Sequence, residues 1–177
     1  MTDKVGSIVV VMGISGSGKS TVGRRLAERL GALFVEGDDH HPPANRAKMA
    51  AGHPLDDADR APWLARLVEI VASAAGEGRD VVLACSALRR RYRDRLREAG
   101  PTVRFVHLTG ADALVRRRMG ARADHFMPPA LIDSQIAALE PPDHEPDVLE
   151  VDVAEPPERL VERIVAGLAT LRAPTEG

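Results

Sequence analysis

Residues 13–20 read Gly13-Ile14-Ser15-Gly16-Ser17-Gly18-Lys19-Ser20, which is the spacing of a phosphate-binding loop. Glycines at 13, 16 and 18 permit backbone turns closed to other residues, so successive N–H groups and the N-terminus of a following helix can point inward at phosphate oxygens. Lys19 sets a point charge between the outer phosphates, the Ser20 hydroxyl suits Mg²⁺, and Thr21 completes the ATP-contacting stretch. The chemistry on offer is phosphoryl transfer. Asn45 is the single asparagine of the chain, so the Asn-Lys-x-Asp motif that reads guanine is absent and a GTPase switch is not expected.

Phosphoryl transfer also needs an acid near the metal and a group that orients or deprotonates the attacking hydroxyl. The run Phe34-Val35-Glu36-Gly37-Asp38-Asp39-His40-His41-Pro42 brings acids to a strand's carboxyl end. The third strand ends in Cys85-Ser86 without one. Glu36 is therefore expected to face the metal's waters and Asp38 the acceptor; a solvated acidic turn is the other reading. His40 and His41 are adjacent and point apart, which argues against a transition-metal site.

These residues need a scaffold. Ile8–Met12, Ala32–Glu36, Val81–Cys85, Arg104–Leu108 and Val148–Asp152 are short runs, mostly apolar throughout, as expected of parallel strands covered on both faces. Helical patterns alternate with them. Lys19–Leu30 carries Val22, Leu26 and Leu30 on one stripe and stops at Gly31; a long helix starts after Asp56 or Asp57, with Leu64, Leu67, Val68 and Val71 on one face. Further helices are expected over Ala87–Ala99, Ala111–Gly120, Pro129–Leu139 and Pro156–Leu171. Repeated βα alternation predicts an α/β protein, a three-layer αβα sandwich on a five-stranded parallel sheet, with ligands at the carboxyl ends of the strands.

The 177 residues fit one domain, and 24 Lys+Arg against 26 Asp+Glu leave a net charge of −2, so neither nucleic acid nor an anionic membrane is an expected partner. The start of the chain runs straight into the first strand without a signal-peptide pattern. Cys85 is the single cysteine, read as a buried strand residue.

Beyond the phosphate loop, the chain resembles the thermoresistant-type gluconokinases of the shikimate-kinase-like P-loop kinases. The likeness is carried by Glu36-Gly37-Asp38 through His41-Pro42, Asn45-Arg46-Ala47-Lys48-Met49, Gly52-His53-Pro54-Leu55 and Asp57-Ala58-Asp59-Arg60-Ala61-Pro62-Trp63-Leu64. It continues in Cys85-Ser86-Ala87-Leu88, Tyr92-Arg93-Asp94, Arg122-Ala123-Asp124-His125-Phe126, Ser134-Gln135 and Leu139-Glu140-Pro141. The resemblance implies Mg²⁺-dependent transfer of the ATP γ-phosphoryl group to the 6-hydroxyl of D-gluconate, in a cytoplasmic enzyme that is commonly a homodimer. Other acceptors, as in shikimate kinase or adenylate kinase, and a nucleotide-dependent binding module are the competing readings.

A polyol carrying one carboxylate needs a cation and several hydrogen-bonding groups around it. Asp38, His41, Lys48, Arg60, Ser86 and His125 are the candidates, in an acceptor-binding helical region at about 40–75 and beyond; for Lys48 and Arg60 the alternative is a surface ion pair with Asp57 or Asp59. A small lid is expected at about 118–130, in which Arg122 would close over the transferring phosphoryl and Arg118 would contact ATP. A solvated helix face explains Arg116-Arg117-Arg118 equally well. The run Arg89-Arg90-Arg91-Tyr92-Arg93-Asp94-Arg95 is expected to form a solvated face or a dimer contact, and Trp63 to be core or pocket wall.

Overall fold

The computed structural model describes residues 4–110 and 129–171. Strands β1 (Ile8–Met12), β2 (Leu33–Glu36), β3 (Val81–Ala84), β4 (Val103–Thr109) and β5 (Val148–Asp152) form one parallel sheet in the order β2-β3-β1-β4-β5. The order reverses at β1, so the loop leaving β1 opens at a topological switch point, where such sheets bind ligands.

Strand alternation explains why the strands read as unbroken apolar runs. Ile8, Val10 and Met12 face a cluster containing Val81, Leu83 and Phe105, covered by α3 (Asp57–Gly76) through Trp63, Leu64, Leu67 and Val71, and by α4 (Arg90–Arg97) through Tyr92 and Leu96. Val9 and Val11 face the opposite layer, where α1 (Lys19–Leu30) contributes Val22, Leu26 and Ala27, and α6 (Pro157–Leu168) contributes Leu160, Val161 and Ile164. Both faces are dry, which is what parallel pairing with helical crossovers requires. A third, smaller cluster joins Ile14 of the phosphate loop to Leu88 and to Ile132 of α5 (Pro129–Ala138).

Local signals set most boundaries. Gly31 caps α1 in the left-handed region. Asp56 opens α3 with a reciprocal capping box: its carboxylate accepts from the Asp59 N–H, and the Asp59 carboxylate accepts from the Asp56 N–H. Two segments depart from the sequence reading. The acidic run after β2 coils into a 3₁₀ turn, Gly37–His40, followed by a separate helix α2 (Pro43–Ala50) started by Pro43. The helix expected from Ala87 begins only at Arg90, because Ala87 takes a left-handed conformation (φ 45°) and Arg89 is extended. Helix prediction over Ala111–Gly120 falls outside the described residues.

Arg93 corrects the picture of a uniformly solvated basic helix. Arg90 and Arg91 are exposed, but Arg93 is fully buried. Its guanidinium donates to both Glu145 carboxylate oxygens, to the carbonyls of Ala87 (2.9 Å) and Leu88 (3.1 Å), and to the carbonyl of Glu140 (3.0 Å). Arg97 completes the network on Glu145 and Asp147. A buried guanidinium is tolerated only when its donors are this fully matched. Arg93→Met is therefore expected to destabilise the fold by about 3 kcal/mol through a partly stranded Glu145. Urea denaturation reads this directly, and an unchanged midpoint would show the network to be dispensable.

Candidate active site

The phosphate loop occupies the turn between β1 and α1. Gly13 has φ 149°, and a Cβ there would lie 2.9 Å from Ser17 Oγ and 3.0 Å from the Leu108 carbonyl, so both conformation and space select glycine. The Gly13 N–H donates to the Ser86 carbonyl (3.3 Å), tying the loop to the segment after β3. Gly16 and Gly18 also lie at positive φ, Lys19 and Ser20 open α1, and Thr21 follows on the helix. Lys19 Nζ donates to the Ile14 carbonyl at 3.1 Å, folding its charge back across the loop. The Ser20 hydroxyl donates to Glu36 Oε2 at 2.5 Å. Two hard oxygen ligands thus meet at the loop's edge, as a Mg²⁺ ion bound chiefly by phosphates and water would need. Among the described residues no group of three or more His, Cys, Asp or Glu side chains is arranged to hold a metal alone.

Gly37 carries the chain from Glu36 to Asp38 under tight constraint. A Cβ at Gly37 would lie 2.4 Å from the Ala84 carbonyl, and the Gly37 carbonyl accepts the Trp63 indole N–H at 2.8 Å. Trp63 is accordingly core, with its one polar atom spent on fixing this turn. The turn leaves the Asp38 carboxylate largely exposed, with one oxygen 3.8 Å from His41 Nε2.

His41 stacks on Trp63 with ring centroids 4.0 Å apart and an interplanar angle of 16°. The Asn45 amide nitrogen donates to the Asp59 carbonyl at 2.9 Å, which fixes its orientation, and lies 3.3 Å from His41 Nδ1. Nδ1 is then the acceptor and the ring proton sits on Nε2, toward Asp38. Burial pulls the His41 pKa down to about 4; Asp38 opposes the shift, while Arg60 and Arg46 add to it. His41 is neutral near pH 7. Its folded pKa is depressed below the unfolded value, so the unfolded chain binds the extra proton as pH falls from about 6.5 toward 4, and stability is lost across that window. His41→Gln is expected to flatten the stability profile between those pH values, as read by denaturation midpoints; an unchanged slope would contradict a buried neutral imidazole.

Lys19, Asp38, His41, Arg60, Ser86 and Gln135 converge on one cleft of about 340 Å³ at the carboxyl ends of β1, β2 and β3. Ser15 also lines it. Arg60 lies over the Tyr92 ring at 5.3 Å, and Arg93 pins the carbonyls of Ala87 and Leu88 that follow Ser86. Lys48 does not line the cleft: its ammonium bonds Asp59 at 2.6 Å and lies 3.8 Å from Asp56. Arg46 and Met49 do line it, one turn apart on α2, and Gln135 enters from α5; sequence reasoning assigned none of them a role, although all three lie in segments that carry the resemblance. Arg118, Arg122 and His125 lie outside the described residues, as does the expected lid apart from its last two positions, which open α5.

A family model described as an AAA domain matches residues 8–142. A gluconokinase of Gluconobacter oxydans is 45% identical over 157 residues, covering 89% of this chain and 88% of the relative. The thermoresistant gluconokinase of Escherichia coli is 42% identical over 155 residues, covering 87% of this chain and 89% of the relative. Among solved structures, a gluconokinase from Sinorhizobium meliloti superposes with a TM-score of 0.84 at 47% identity, covering 94% of this chain and 93% of that one.

Proposed function

The chain belongs to the gluconokinase family, and from that premise we propose that it transfers the γ-phosphoryl group of ATP to the 6-hydroxyl of D-gluconate, giving 6-phosphogluconate and ADP. The observation that carries this reading is that the phosphate-loop lysine and the candidate acceptor groups Asp38, Arg60 and Ser86 line a single cleft. A nucleotide switch has no use for an acceptor pocket opening onto its lysine.

In this reading Asp38 accepts a hydrogen bond from the 6-hydroxyl and directs its oxygen lone pair at the γ-phosphorus. Arg60 meets the carboxylate, and Ser86 and neutral His41 bond the sugar hydroxyls. Lys19 follows charge onto the β/γ-bridging oxygen as that bond breaks. Ser20 and Glu36 would hold Mg²⁺, Glu36 through water; the ion supplies charge neutralisation across the phosphates. Lys48 serves the same cleft indirectly, by fixing Asp59 next to Arg60.

We assign Arg122 to the transferring phosphoryl, Arg118 to ATP and His125 to the acceptor, within a lid at about 118–130 and one kinase domain spanning 1–177. The remaining elements of the reading are a cytoplasmic enzyme and a homodimer, both carried by the family likeness. No described helix is long and apolar enough to cross a membrane. Sedimentation at twice the 19.0 kDa chain mass is expected, and a monomer would remove the dimer from the reading. Phosphorus NMR of a reaction with Mg·ATP and D-gluconate is expected to show a phosphomonoester at the 6-position growing with ADP; a phosphoester at another carbon, or none, would defeat the assignment.

A further inference from the structure

A second cleft, of about 360 Å³, adjoins the first, and Leu55 and Arg60 line both. Lys19 and Asp38 line only the first; Arg89, Tyr92 and Ser134 line only the second. Gln135 fixes α5 at the junction, its Oε1 accepting from the Ser15 N–H of the phosphate loop at 2.6 Å. The second cleft thus leads away from the phosphate loop.

Arg89 stands out from the basic run that it opens. Arg90, Arg91, Arg93, Arg95 and Arg97 each meet a carboxylate. Among the described residues half-buried Arg89 meets none. It adds only a longer-range attraction to Asp57, whose carboxyl is held below its usual range first by the Tyr92 hydroxyl and then by Arg91. Arg60 is likewise half-buried without an ion pair among the described residues, and it is held over the Tyr92 ring at 5.3 Å, a contact that leaves its N–H donors unengaged. Two guanidiniums therefore line one cleft with no acid to neutralise them. Asp56 is the one carboxylate on the described wall, and it is engaged in capping α3 and lies 3.8 Å from Lys48.

The backbone that carries Arg89 is braced. Ala87 holds the left-handed conformation (φ 45°), which alanine adopts only where the surroundings impose it. Arg93 binds the carbonyls of Ala87 and Leu88, the Glu140 N–H donates to the Leu88 carbonyl at 2.8 Å, and the Arg90 N–H donates to the Glu140 carboxylate at 2.8 Å. These contacts hold the short stretch that sets Ser86 in the first cleft and Arg89 in the second.

We propose that Arg89 is a specificity-determining residue: with Arg60 it closes a two-arginine clamp on the carboxylate of the acceptor, whose acid end extends into the second cleft while its reacting hydroxyl stays at Asp38. The inference rests on the acceptor reading of the first cleft given above. A carboxylate has oxygens enough for two guanidiniums, and charge-assisted bonds of this kind separate an acid from the aldose or alditol of the same length. The clamp also keeps the acceptor's negative charge away from the phosphates held by the loop.

Arg89→Met keeps much of the side chain's length and removes its charge, whereas Arg89→Lys keeps the charge. Steady-state kinetics with Mg·ATP are expected to show the D-gluconate KM raised about ten- to hundredfold in Arg89→Met, the range of one charge-assisted hydrogen bond, with kcat changed far less. Arg89→Lys is expected to recover part of the loss. The ATP KM and the melting temperature are expected to stay near wild type, and inhibition by neutral D-gluconamide to weaken less than threefold. An unchanged gluconate KM in Arg89→Met overturns the proposal, as does an ATP KM that rises as far as the gluconate KM or a gluconamide inhibition that weakens equally. Should the wild-type protein phosphorylate a different acid, the gluconate reading fails and the same variants decide the clamp with that acid. An acceptor without an acid group, or none at all, overturns both.

Discussion

Lys19→Ala is expected to lower kcat by about 10³-fold or more, the loss that follows removal of a charged donor aimed at developing transition-state charge. The structure shows why little else replaces it. Lys19 Nζ donates to the Ile14 carbonyl, within the glycine-rich loop, so its charge enters the site from the loop itself. Arg60 and Arg46 line the cleft too, but Arg60 is placed over Tyr92 and Arg46 donates to the Asp39 carbonyl. Lys19→Arg is expected to rescue poorly, because a planar fork cannot take the place of a compact ammonium between two phosphates. The measurement is single-turnover phosphoryl transfer, with protein melting as the control for folding. A loss under tenfold would mean that the loop binds phosphate without Lys19 taking part in transfer.

Asp38→Asn carries the second large effect, an expected fall in kcat of about 10²- to 10⁴-fold, the usual contribution of a positioned acid–base group. The amide preserves the shape of the turn, which is fixed by Gly37 against Ala84 and by Trp63 on the Gly37 carbonyl rather than by the carboxylate. ATP affinity should therefore persist while turnover fails. The comparison needed is kcat beside the ATP KM. Normal gluconate phosphorylation by the variant would remove Asp38 from the reaction and pass the orienting role to its neighbours.

Much of this arrangement is legible in the sequence because its signals are local. β1 and α1 declare themselves through five consecutive apolar residues, a glycine-rich turn and a stripe ending at a capping glycine. α3 announces its start through Asp56 and Asp57, of which Asp56 is the N-cap. α2 is hidden because only Asn45 of its eight residues is buried, so no apolar stripe marks it, and without the helix the shared face of Arg46 and Met49 cannot be seen.

Arg93 is hidden for a different reason. Its burial depends on Glu145 and on the Glu140 carbonyl, 52 and 47 positions away, and local periodicity says nothing about them. The same holds for Gln135, whose partner lies 120 positions off. For Lys48 the sequence offered both a pocket and an ion pair. The capping box decides locally for the ion pair, because it holds the Asp59 carboxylate within reach of the ammonium.

The central claim is that phosphate loop and acceptor cleft form one site for gluconate. Its most direct test is steady-state ADP release from Mg·ATP by the purified protein, with and without D-gluconate, and with shikimate, AMP and glucose as comparison acceptors. Strong stimulation by gluconate alone is expected, and its loss in Lys19→Ala. ADP release indifferent to gluconate, or stimulated by one of the other acceptors in its place, would contradict it.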